Sequence, residues 1–266
     1  MTIIEPLAGL YFDPEKLANP LSITTPPPMF ITEKEQVRYY AQHPLNVIRL
    51  HAGINFPTDN DSNNPTSRAV KYLQRWREQK DLLLADTPAV YALEHSGPGQ
   101  KPITSLLVRL PISSKNNLPQ PEDSAAPDVS IAPFLNNLNL SIIPIPLVYA
   151  DPSRGVETIL KSQINSMSPL IKADGCQLWP IIDPAIVGRL KKRFQGLSLL
   201  PIAALEIYAA QIAYAAQSKS YPGMLAILDN NLDLNQDIND HSTLQPAGSS
   251  YFRSIPVGLV MDYWGK

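Results

Sequence analysis

The stretch Gln177-Leu-Trp-Pro-Ile-Ile-Asp-Pro-Ala-Ile-Val-Gly-Arg-Leu-Lys-Lys-Arg-Phe-Gln-Gly196 sets the fold class. Its first six residues, Gln177 to Ile182, are mostly apolar and of strand length. Asp183 then stands where a helix N-cap belongs, and Pro184 brings the fixed φ and missing N–H of a first helical residue. Beyond it Ile186, Val187, Leu190 and Phe194 fall on one helical stripe, and Gly196 closes the helix. Arg189, Lys191, Lys192 and Arg193 lie on the polar face. A solvated face is the usual reading of such a run, and a site for phosphate or an acidic partner is the other. A strand that feeds an amphipathic helix implies an α/β or α+β domain.

Proline extends this reading along the chain. There are 27 prolines in 266 residues, and each one inside a helix costs about 3 kcal/mol or more. The proline-free windows are therefore the helix candidates. Residues 66–87 place Ala69, Leu73 and Trp76 on one stripe, with Thr66 or Ser67 as the cap. Ala203 to Ser218 holds Glu206 as its single charged residue, so this helix is expected to be buried on most sides. Shorter helices are expected at 32–42 and 154–166. Strands are expected at Val47–Leu50, Ala89–Leu93, Ser105–Leu110, Pro146–Tyr149 and Met224–Leu228. Asp174-Gly175 reads as the hairpin turn before Gln177, which makes Cys176 a structural thiol. Asn55–Asn64 and Pro111–Pro133 read as loops. The second of these loops divides the chain into lobes at 1–110 and 134–266, or is a surface excursion of one composite domain.

Composition excludes several functions. A net charge of −2 and a pI near 6.1 give no case for nucleic acid. One cysteine and four scattered histidines (His43, His51, His95, His241) provide no metal-ligand spacing, and no cofactor is expected. There is no phosphate loop and no nucleophile elbow, and Gly97-Pro-Gly99 reads as a turn. No apolar run reaches about 18 residues, so no membrane-spanning helix is expected. The N-terminus lacks the marks of a signal peptide, which makes the expected location cytoplasmic. Glu206 is the candidate for proton transfer, because burial in an apolar helix would raise its pKa unless a cation pairs with it; the other reading is an exposed or ion-paired glutamate.

Several segments, in order, resemble one family. Pro6-Leu-Ala-Gly-Leu-Tyr-Phe-Asp-Pro-Glu-Lys16 is similar to its opening "P-F-x-G-x-R-Y-x-P-E-K". His43-Pro-Leu-Asn-Val-Ile-Arg-Leu50 is similar to "x-P-x-N-v-i-r-L". Tyr72-Leu-x-x-Trp76, Leu83-Leu-Ala-Asp86-x-Pro88, Pro146-Leu-Val-Tyr-Ala-Asp151 and Ile182-Asp183-Pro184 follow in the expected order. The family is the uncharacterised bacterial and archaeal group labelled ParB-like (ParB/SpoOJ-like), related to free-serine kinases. The resemblance implies a ParB/sulfiredoxin-like mixed sheet with flanking helices.

The departures are as informative as the matches. The family signature "I-A-D-G-H-H-R-Y-E-A-A" corresponds here to Ile202-Ala-Ala-Leu-Glu-Ile-Tyr-Ala-Ala210. Ala204 stands for the aspartate, Leu205 for the glycine, and Glu206 and Ile207 for the histidines. "P-P-Y-D-V-I" has become Pro26-Pro-Pro-Met-Phe-Ile31, and "H-E-x-T" has no counterpart between Leu110 and Pro146. Phosphoryl transfer relies on cations, metal ligands and a base, and Ala204–Tyr208 supplies no cation. The resulting expectation is a catalytically inactive pseudoenzyme that binds, assembles with or regulates a protein partner. Its vestigial ligand pocket is assigned to Asn46, Arg49, His51, Glu206 and Tyr208. The region around Ala204–Tyr208 is expected to be filled by Leu205, Ile207 and Tyr208. The alternative is a small-molecule (free-serine-type) kinase or nucleotide-binding enzyme that uses non-family residues.

Overall fold

The computed structural model describes residues 2–96, 102–112, 118–119, 132–230 and 255–265. Among them the helices are α1 (Glu33–Gln42), α2 (Ile48–His51), α3 (Pro65–Glu78), α4 (Ala132–Leu138), α5 (Gly155–Ile164), α6 (Pro184–Phe194) and α7 (Leu205–Gln217). The strands are β1 (Gly9–Phe12), β2 (Leu82–Leu84), β3 (Val90–His95), β4 (Ile103–Leu110), β5 (Leu140–Ser141) and β6 (Ile145–Tyr149). They continue with β7 (Ile171–Ala173), β8 (Cys176–Ile181), β9 (Leu200–Pro201), β10 (Met224–Asn230) and β11 (Met261–Tyr263). The chain is a mixed α+β protein, as the strand-to-helix pattern requires.

Two sheets carry the architecture. The larger has the order β7-β8-β3-β4-β10-β6-β9, and β10 with β6 is its parallel pair. The smaller has the order β2-β1-β11-β5. Each sheet takes strands from both sides of residues 111–133. Side chains alternate across a strand, so the larger sheet has two distinct faces. Tyr149 points to one face, where it meets Phe194 of α6 edge-on at 5.0 Å. Tyr91 and Arg109 point to the other, toward the smaller sheet. Gly9 of β1 is required there, because a Cβ would sit 2.0 Å from the Tyr91 hydroxyl oxygen.

The opening stretch folds as its pattern dictates. β8 ends at Ile181, the Asp183 carboxylate accepts from Ala185 N at 2.8 Å, and Val187, Leu190 and Phe194 are buried. Asp174-Gly175 joins β7 to β8, with Gly175 at φ +70° as a tight hairpin needs. α1 carries a reciprocal Thr32/Glu35 capping box.

Four expectations are corrected. Val47–Leu50 is not a strand: Ile48–His51 is a helical turn, initiated by Asn46 Oδ1 accepting from Ile48 N at 3.0 Å. Val47, Ile48 and Leu50 are all fully buried, so a four-residue stretch with three apolar residues fits a helical turn as well as a strand. The helix expected at 66–87 begins at Pro65 under Asn64, whose side chain accepts from Ser67 N, and it stops at Glu78. Lys80 at φ 55° then turns the chain into β2. α7 is buried only over Ile207–Gln211, and its second half is partly exposed. The loop expected to run to Pro133 ends earlier, because α4 starts at Ala132 and tolerates proline in its first turn. Gly97-Pro-Gly99 and most of 113–131 lie outside the described residues.

Candidate functional site

Asn46, Arg49 and His51 lie together at α2, and two of them are committed to structure. Asn46 is fully buried. Its amide donates to Ser22 O (2.9 Å) and Thr24 O (3.2 Å), pinning that segment beside α2. Arg49 donates to His43 O (2.9 Å) and Tyr40 O (2.6 Å), with its guanidinium over the Tyr40 ring at 4.5 Å. A cation that binds the last carbonyls of α1 completes that helix end.

His51 differs. Its Nε2 shares a hydrogen bond with Thr25 Oγ1 at 3.0 Å, while its Nδ1 is buried without a hydrogen-bond partner. Burial pushes its pKa down to about 3, so the ring is neutral at physiological pH. It lines a broad cleft of about 740 Å³ with a mixed polar and apolar wall, together with Asn55, Asp61, Thr66, Phe134 and Asn137, among others. Within that wall Asn64 and Ser67 are already used by the α3 capping box. His51 also borders a crevice of about 30 Å³, whose far side is Ile207 and Gln211 of α7. The histidine is thus the group that connects the α2 cluster to the signature helix.

The α7 residues do not form the ligand pocket assigned to them. Glu206 is exposed, which agrees with the second of its two readings. It sits in the first helical turn, where the helix dipole favours a carboxylate. Tyr208 is fully buried, its hydroxyl donates to Pro119 O, and burial pushes the phenol up to about 12. Ala204, in the left-handed region at φ 56°, starts the helix with no side-chain cap. Neither Glu206 nor Tyr208 lines the His51 cleft or its crevice. Ile207 and Tyr208 belong to the hydrophobic core.

Two polar clusters escape a reading by sequence pattern. Arg109 on β4 forks onto Asp262 of β11 at 2.6 and 2.5 Å, across 153 residues. His95 Nε2 meets Ser105 Oγ at 3.2 Å, with Cys176 directly across from His95 on β8. Burial lowers His95 to about 4 and raises Cys176 to about 12, so the thiol is held protonated. The alternation of Tyr91, Leu93 and His95 on one face of β3 is the signal that could have placed this histidine inward. Among the described residues no group of three or more His, Cys, Asp or Glu side chains could hold a metal ion. Among them, too, no helix is long and apolar enough to cross a membrane.

Fold and cleft together define a mixed α+β protein whose cleft contains a neutral histidine and, among the described residues, no Lys or Arg. Residues 4–203 match the family model described as "Protein of unknown function (DUF1015)", and the chain belongs to that family. The match ends at Ala203, immediately before the Ala204–Tyr208 stretch. No curated protein and no solved structure matches the chain.

Proposed function

We propose that this chain is a non-catalytic binding or assembly protein, a pseudoenzyme on a scaffold related to ParB-like free-serine kinases. The observation that carries this reading is the start of α7. Where the resembled signature has Asp-Gly-His-His-Arg, Ile207 and Tyr208 are core residues and Glu206 faces water. Phosphoryl transfer needs positioned cations and metal ligands around the phosphates. Among the described residues that line the His51 cleft there is no Lys or Arg, and the charged group there is the Asp61 carboxylate, which repels phosphate. Asn46 and Arg49 are spent on backbone carbonyls, which further supports a scaffold role. Segments 1–110 and 134–266 are read as one composite unit, because each sheet draws on both.

The competing kinase reading is tested by coupled detection of ADP release from MgATP, with and without serine. The expected result is a rate at the no-protein background, unchanged in Glu206→Gln. Turnover above background that falls in Glu206→Gln would establish the kinase reading instead.

A further inference from the structure

The basic run of α6 takes no part in the site described above. We propose that the outer face of α5 and α6 is a peripheral docking surface for an anionic lipid bilayer. This inference is independent of whether the chain is an enzyme.

The two helices lie antiparallel on one face of the larger sheet. Near the C-terminal end of α6, Arg193 Nη2 donates to Ser153 Oγ (2.7 Å), just ahead of α5. Gly155 is needed here, because a Cβ would come within 1.8 Å of the Arg193 guanidinium. Arg154, Lys161, Arg189, Lys192 and Arg193 are exposed, and Lys191 is half-buried. Arg154 reaches only Glu157, at 3.7 Å. Among the described residues, no carboxylate forms a salt bridge with Lys161, Arg189, Lys191 or Lys192. Arg193 acts on the Asp151 carboxylate, with Ser153 hydrogen-bonded to both, so in a chain of net charge −2 the cations of these helices without a carboxylate partner among the described residues are Lys161, Arg189, Lys191 and Lys192.

Apolar side chains complete the surface at its other end. Ile182, immediately before α6, is 53% exposed, and Met167, just after α5, is 37% exposed. Trp179 Nε1 donates to Met167 O (3.2 Å) and holds that segment against β8, which leads into Ile182. Cations paired with exposed aliphatic side chains are the two signals that together hold a protein at an anionic bilayer. A peptide would need a groove, a sheet edge or pockets, and the two clefts beside His51 are lined by other elements. Single-stranded nucleic acid would call for exposed aromatic rings among the cations, and the large apolar residues exposed here are Ile182 and Met167.

The test is co-sedimentation of the full chain with vesicles of phosphatidylcholine alone, or with about a third phosphatidylserine. Binding is expected only to the anionic vesicles, and should fade as salt rises to about 0.5 M, where screening shortens to a few ångströms. Lys191→Glu/Lys192→Glu should weaken it by about tenfold or more, and Ile182→Ser by a few-fold at unchanged melting temperature. Lys71→Glu on α3, away from this face, serves as the control and should have no effect. Failure to bind anionic vesicles at low salt would overturn the proposal. So would binding untouched by the α6 reversals, or preferential capture by an acidic peptide or RNA competitor at equal charge. None of these results bears on the ADP-release assay, so the two proposals fail separately.

Discussion

Arg109→Leu is expected to destabilise the fold by about 3–5 kcal/mol, the usual cost of stripping the partner from a buried charge. The Asp262 side chain has no exposed area, and the Arg109 side chain retains 16%. Arg109 grips both carboxylate oxygens, and Ala8 N donates to Oδ1 at 3.2 Å. Burial raises the Asp262 pKa above the ordinary carboxylate range, while the Arg109 fork pulls it the other way. Without Arg109 the desolvation penalty stands alone, and the two sheets lose the polar tie between β4 and β11. Arg109→Leu/Asp262→Leu should recover most of the loss, because a buried ion pair is often no more stable than an apolar replacement. Urea unfolding of wild type, both single variants and the double variant measures the coupling directly. A loss below about 1 kcal/mol in Arg109→Leu would mean that the pair is ornamental.

The second large effect is loss of stability in mild acid. His95 is buried, and His51 is half-buried with its Nδ1 enclosed; their pKa values are pushed down to about 4 and about 3 from an ordinary 6.5, so both rings are neutral. Above pH 6.5 neither state binds these protons, so the two histidines impose no pH dependence. Between about pH 6.5 and 4 the unfolded chain protonates both rings while the folded chain resists, so stability falls as pH falls. Each ring contributes about 1.4 kcal/mol per pH unit, so a drop from pH 6.5 to 5 removes about 4 kcal/mol in all. The raised Asp262 carboxyl acts in the opposite sense, since it takes its proton more readily in the folded state. Urea midpoints measured from pH 8 to 4.5 should be flat and then fall. His95→Gln and His51→Gln should each remove about half of the slope. A profile that stays level down to pH 5 would show that the rings are hydrated.

The limits of sequence reading are physical and can be located. The β8–α6 junction is legible because period, cap and proline agree within twenty residues. The α2 turn is not, because Val47, Ile48 and Leu50 around Arg49 satisfy two periods, and the Asn46 side chain decides between them. Glu206 looks buried by composition, yet the first turn of a helix lets a lone carboxylate reach water whatever follows it. Arg109 with Asp262, and His95 with Ser105, depend on pairings between strands. Nothing local in the chain announces a partner 153 residues away. His51 directly follows the family-like stretch His43–Leu50, but its two clefts depend on where α3, α4 and α7 come to rest.

The central claim, that the start of α7 serves packing and not phosphoryl chemistry, is tested most directly by thermal denaturation of the full chain. Melting temperature is measured alone and with millimolar MgATP, MgADP or serine. Any ligand that binds the folded state must stabilise it, by about 2.7 kcal/mol at a hundred times its Kd. The account predicts no shift with any of the three. A concentration-dependent rise with MgATP, lost in Glu206→Gln, would contradict it.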